Sequence, residues 1–467
     1  MQNLEGPIPK GLWSWALRRN PFGILLAFFF SFLSISPAAT LIVTDSIRHT
    51  CDSAVEGDTL LIYGPAVFHE HVIINKSLKI IGTNNPVIDG DGTGTPLTVE
   101  AAETAVRGVT IRNGGTDLGH PDAGIMIRAP HVIVDGCRIE GGGFGIYLRT
   151  SDDCRIVNNV IAGNERVPNA QRGNGIHLWK TKNNTITGNL ITGARDGIYF
   201  SYADQNLIAS NRVEQTRFGI HYMYSHHNEL RANSLTGNSV GAALMFARDC
   251  LVQENCAFAN RRHGILLKQV ESSRFVRNTV SGQNRGFFIQ QAALDRFEEN
   301  LIFENDIGLY LSNGSEKNVF VGNAFVRNTD QIWQPSDEVE MGRLASNNFH
   351  EGHRGNYWSD YTGSDCNGDG IGDTPYHETD VLGYIVDRHP EARVFALSPA
   401  AALLRKSEEV LPLLEVQGVA DPFPLMTPAP ACRRALAEMK GPHGIPRTPN
   451  ASRASVGPIP SAPLGGQ

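Results

Sequence analysis

The sequence predicts an all-β fold, a right-handed single-stranded parallel β-helix with coils of about 22 residues. Three observations predict it. Glycine-led segments recur as GIMI at Gly124, GIYL at Gly145, GIHL at Gly175, GIYF at Gly197 and GIHY at Gly219. They continue as GAAL at Gly241, GILL at Gly264, GFFI at Gly286 and GLYL at Gly308, spaced by 22 or 23 residues from Gly175 onward. A second column, Asn159, Asn189, Asn211, Asn233, Asn255, Asn278, Asn300 and Asn323, keeps the same interval. The segments between are β-branched, bounded by Asn and Gly turns and too short for a helical solenoid, so each coil reads as two short strands.

The remaining elements follow in chain order. Residues 1–38 read as a cleavable signal peptide. Arg18 and Arg19 precede an apolar run from Phe22 to Ile35, and Ser36, Pro37 and Ala38 offer a small-residue cleavage site. The run is shorter than the roughly 20 apolar residues of a spanning helix. Residues 39–330 carry the β-helix, opening with less regular strands up to Gly115 and throwing out loops at 116–122 and 165–172. Residues 331–397 hold the final coils and an acidic loop. Residues 398–416 form an amphipathic helix, with Ser398 as N-cap and Pro399 at the first helical position. Residues 417–467 are a Pro-rich tail expected to be disordered.

In such coils neighbours stack at about 4.8 Å, and equivalent residues form ladders. An asparagine buried at a turn can bond the backbone of the next coil, so the Asn column is structural. The same register bears on the seven cysteines. Cys154 and Cys250 share a column but lie four coils apart, about 19 Å at that spacing, whereas a disulfide needs Cα atoms within about 7 Å. Buried free thiols are expected. The formal net charge of −7 is spread without basic blocks, which excludes a nucleic-acid surface.

Alternation sorts the glycine-led strand. The residue after the glycine and the one two further on, such as Ile220 and Tyr222, face inward. The residues between form two outward columns. One reads Met126, Tyr147, His177, Tyr199, His221, Ala243, Leu266, Phe288 and Tyr310; the other runs from Arg128 through Trp179, Met223, Met245 and Lys268 to Ser312.

His221, Met223 and Met245 are therefore expected to converge on a small exposed patch, with His177, His226 and His227 nearby. Thioether and imidazole suit cuprous copper, because soft sulfur selects that ion over zinc or calcium. A partner-binding surface without metal fits the same residues. The two columns hold no Asp or Glu, which argues against the paired carboxylates of a sugar-cleaving enzyme. Asp196, Asp204, Asp249 and Asp295 read as turn residues.

In the C-terminal third, Asp365, Asn367, Asp369 and Asp373 follow the spacing of a calcium loop, although the twelfth position is Tyr376 rather than a bidentate acid. A tight turn held by Asx bonds fits equally well. In the following helix, Leu403, Leu404, Val410 and Leu411, with Leu414 beyond Pro412, offer an apolar stripe for docking on a partner.

The GDT opening, the VIDGDG turn, the glycine and asparagine columns, NYWSDYTG, the acidic loop, VLPLL and GVADPFPLM together resemble the NosD family over most of the chain. The resemblance implies a non-enzymatic, copper-handling protein of the periplasm. Its expected partners are an ABC transporter, made of a membrane subunit and a cytoplasmic ATPase, and nitrous oxide reductase, whose copper sites it helps to mature. A copper-donor lipoprotein is a further implied partner. Cys366 within the loop and the long tail depart from the pattern. The alternative is an extracellular carbohydrate-binding or polysaccharide-cleaving β-helix.

Overall fold

The computed structural model describes residues 38–312, 314–334, 347–378 and 419–439, with a few isolated positions between 395 and 403. The expected signal peptide precedes these residues. Among the described residues the chain winds into a parallel solenoid walled by two sheets of 13 strands and one of 12. One wall begins at Thr40–Val43 and another at Val67–His69. The third, running from Val72–Ile74 to Asp330–Trp333, is the glycine-led one.

Each coil thus contributes three strands rather than the two that the sequence suggested. The extra strand is three residues long in most coils, such as Arg155–Val157 or Leu207–Ala209, with one inward side chain. A single buried residue between turns leaves no alternating pattern to read.

The glycine-led wall has the expected register. Ile198 pairs with Ile220, Tyr199 with His221, Phe200 with Tyr222 and Ser201 with Met223. Ile198, Phe200, Ile220 and Tyr222 are fully buried. The glycine column exists because coils approach too closely there for a side chain. A Cβ on Gly197 would lie 2.5 Å from the Gly219 carbonyl oxygen and 2.2 Å from a Val213 methyl.

The Asn column forms a continuous ladder. The Asn211 backbone N–H donates to Asn233 Oδ1 at 3.0 Å, and its Nδ2 donates to the same oxygen and to the Ile186 carbonyl. Every polar group of the amide is thereby satisfied in a site closed to water, where an unpaired group would cost about 1–3 kcal/mol. The ladder ends at Asn356, which accepts from Asn323. Cys154 opens a second ladder by donating its N–H to Asn184 Oδ1. All seven cysteines are free, six of them buried.

Residues 419–439 correct the expectation of a disordered tail from 417. Ala420–Asp421 pairs antiparallel with Tyr376–His377. The helix Pro430–Met439 buries Cys432 and Met439 against Leu301, Phe303, Ala324 and Val326. Its apolar residues Cys432, Ala435, Leu436 and Met439 recur at helical spacing, a pattern overshadowed by the surrounding prolines. The rest of the expected tail lies outside the described residues.

Candidate metal centre

The glycine interrupts strict alternation, so the residue before it also faces outward. That third outward column includes Asn174, Asp196, Phe218, Val240, His263 and Arg285, and it places a carboxylate on this face. Asp196 pairs in register with Phe218, is 1 % exposed, and accepts Arg217 Nε at 2.8 Å and Arg217 Nη2 at 2.6 Å. It also accepts His221 Nδ1–H at 3.0 Å. Burial opposes ionisation, but His221 and Arg217 hold the carboxyl below its usual range.

His221 itself is buried, not on an exposed patch as expected. Phe218 covers it at a ring separation of 4.4 Å, and Tyr199 meets its ring edge-on at 5.1 Å. With Nδ1 committed to Asp196, Nε2 is left buried without a hydrogen-bond partner. That arrangement matches the carboxylate–histidine pairing that fixes tautomer and ring orientation behind a metal-ligating nitrogen. Met223 lies two residues further on the same face and is paired in register with Met245, both half-buried. The position opposite His221 is Ala243, which is small enough to leave the thioethers room. An orphaned imidazole nitrogen and two thioethers on one sheet face are residue types that would suit a soft monovalent cation.

The expected helpers divide. His177 is two coils from His221, with Tyr199 between them. Its Nδ1 lies 3.1 Å from Asn174 Nδ2, and burial pushes it down to about 3, so it is neutral. His226 and His227 sit in the corner beyond Tyr224 rather than on the sheet face. The His226 N–H donates to Asp204 Oδ1 at 2.7 Å, and its buried Nδ1 has no partner. His227 is exposed, 3.7 Å from Asp249. The structure therefore places His221, Met223 and Met245 on one face of adjacent coils and leaves the other three at the margin.

The acidic loop turns its groups on its own backbone. Asp365 accepts the N–H groups of Gly368, Asp369 and Gly370, Asn367 accepts from Asp369, Asp369 from Ile371, and Asp373 from Cys366. These are Asx bonds of a tight turn. Among the described residues, the three-ligand acidic or histidine cluster that forms is His69, Asp89 and Asp91, outside this loop. There Arg112 and Asn113 already occupy Asp89. Of the docking stripe, Leu403 is exposed, while Leu404, Val410, Leu411 and Leu414 lie outside the described residues. Ser398 Oγ accepts the Ala401 N–H at 3.1 Å, as its capping role required. No described helix is long and apolar enough to cross a membrane.

Architecture and register together define a parallel β-helix with His221, Met223 and Met245 on one face of its glycine-led wall. A family model for right-handed β-helix regions matches residues 71–194. The Dettilon tailspike protein shares the architecture at a TM-score of 0.52 and 17% identity, covering 67% of this chain and 69% of that one, a likeness of fold alone. A model described as "Periplasmic copper-binding protein (NosD)" matches residues 163–363, which include His221, Met223 and Met245.

Two curated relatives are named "Probable ABC transporter binding protein NosD". The one from Pseudomonas aeruginosa is 38% identical over 371 residues, 76% of this chain and 85% of the relative. The one from Stutzerimonas stutzeri is 36% identical over 370 residues, 76% and 83% respectively. The chain belongs to the NosD family.

Proposed function

We propose that this chain is a periplasmic, non-enzymatic copper-binding protein that works with an ABC transporter to mature the copper sites of nitrous oxide reductase. The observation that carries the reading is the buried, unpartnered Nε2 of His221 on the same sheet face as the register pair Met223 and Met245. Copper here is cargo. Cuprous ion suits it, because two thioethers and one imidazole give a soft, three-coordinate set that can be left as readily as entered. The family description and the relatives' names support the copper and transporter parts of the reading. A copper-donor lipoprotein would supply the ion.

Sugar cleavage is disfavoured by the face itself. Asp196 is engaged by Arg217 and His221, and the other acid of its column, Asp330, lies six coils away. Glycosidic hydrolysis uses two carboxyl groups within about 10 Å.

The test is anaerobic competition titration with a cuprous chelator on the wild type and on a protein carrying His221→Ala, Met223→Leu and Met245→Leu. Loss of one tight cuprous equivalent, with the solenoid's far-UV spectrum retained, is expected. Unchanged stoichiometry and affinity would overturn the assignment.

A further inference from the structure

Along the same outward column, beyond Val240, two nitrogen groups stand without acceptors. His263 pairs in register with Arg285 on adjacent coils. His263 is 4 % exposed and its Nδ1 is enclosed without a hydrogen-bond partner; Arg285 Nε is enclosed and unpartnered as well. The Arg285 guanidinium is fixed by aromatic faces, 4.4 Å from the Tyr310 centroid and 5.5 Å from that of Phe288. Phe288 also covers the His263 ring at 4.9 Å. Arg262, exposed, immediately precedes His263.

The local charge is one-sided. Among the described residues neither Arg262 nor Arg285 has an ion-pair partner. On the coil after Arg285, Asp306 accepts from Asn284 Nδ2 at 3.0 Å. Burial first, then Arg285 and Arg262, hold the His263 imidazole neutral, down at about 4. Elsewhere on this wall Arg217, which precedes its column residue as Arg262 precedes His263, pairs with Asp196; Val240 stands in the position of that carboxylate next to Arg262. Here the carboxylate is missing and the donors remain.

We propose that His263, Arg285 and Arg262 form a binding site for an oxyanion, a carboxylate or phosphate-type group. One oxygen accepts from His263 Nδ1–H and another from Arg285 Nε–H, a charge-assisted geometry that a planar guanidinium favours. Arg262 adds a second positive charge at the rim. Two guanidiniums exclude a metal cation from the same place. The oxyanion has two possible sources, a free small anion or an acidic side chain of a docked protein, and both present the same oxygens. The site lies on the same wall as the proposed copper donors, on the coil next to Met245, but uses none of those side chains.

The test uses full-length, ¹⁵N-labelled protein observed at the histidine and arginine side chains. It is titrated at constant ionic strength with inorganic phosphate and, separately, with a short glutamate-rich peptide. A saturable shift at His263 and Arg285 is expected from at least one probe, weakened by about tenfold or more in Arg285→Gln, the loss of one charge-assisted bond. In Arg262→Gln, an exposed change that leaves folding intact, it is weakened several-fold. Saturation by phosphate assigns a free anion; saturation by the peptide alone assigns a protein carboxylate. No saturable shift with either probe, or binding unchanged in both variants, overturns the site.

Discussion

Asp421 accepts the backbone N–H of Asn356 at 2.7 Å, ending a hydrogen-bonded ladder with a residue 65 positions later in the chain. The same carboxylate accepts Trp358 Nε1–H at 2.9 Å and the Phe423 N–H at 3.0 Å, and it is fully buried. One side chain therefore satisfies three donors that no further coil could reach. Asp421→Ala is expected to cost about 3 kcal/mol or more, since each stranded donor costs about 1–3 kcal/mol. Hydrogen exchange would show the Asn356 amide losing protection, with coils near Gly197 unaffected. Equal protection in the variant would rule out this capping role.

Asp295 is the one acid in the second ladder, between Ser273 and Asn318. Its Oδ1 accepts the Ser273 N–H, its own N–H donates to Asn318 Oδ1, and Oδ2 is enclosed without a partner. Burial pushes the carboxyl up to about 7. The folded state thus holds its proton more tightly than the unfolded chain, whose Asp titrates near about 3.9. This contribution is fully present below about pH 3.9 and is lost as pH rises through about 7, by about 4 kcal/mol at most. Asp295→Asn, able to donate as Asn318 does to the Ala292 carbonyl, is expected to raise stability by a margin that grows from pH 4 to 7 and is flat above. Denaturant midpoints at pH 5 and pH 8 check it. A margin independent of pH would refute the assignment.

Asp196→Asn addresses the proposed copper centre from behind. Removing the carboxylate frees the His221 tautomer and ring, and cuprous affinity is expected to fall about 10–100-fold. Chelator competition measures this. Undiminished affinity, with the His221→Ala variant also unaffected, would show that copper binds elsewhere.

The thiols offer a probe of the fold. Burial pushes Cys154 up to about 11 and Cys250, Cys256 and Cys432 up to about 12, whereas Cys366 is exposed. In native protein a maleimide should modify Cys366 alone, and in denaturant all seven. Rapid native labelling of Cys154 or Cys250 would contradict the stacking register.

The glycine-led wall was legible because two inward residues per coil repeat at fixed spacing, and its register agrees residue for residue from Met126 to Tyr310. The short third strand was not, because one buried residue carries no period. Asp196 escaped notice because the glycine bulge shifts alternation by one position, so it read as a turn residue. The burial of His221 was equally hidden, since it depends on Phe218, one bulge earlier, and on Tyr199, a coil away. The ordered segment 419–439 was lost in a Pro-rich composition, its partner for Asp421 being too distant in sequence for any local pattern to reveal.

At the other end of the solenoid, the helix Ile47–Ser53 lies beside the opening coils. Its N-terminal amides are held by Glu70, and the carbonyls of Cys51, Asp52 and Ala54 accept Lys76 Nζ. Asp421 and its strand terminate the opposite face. A repeating stack of parallel strands is a template that a second molecule could extend, the geometry from which fibres grow. A chain shortened to end before residue 419 would leave the Asn356 N–H without its Asp421 acceptor and expose an open rung, so the segment that looks dispensable in the sequence is the one that covers the end of the stack.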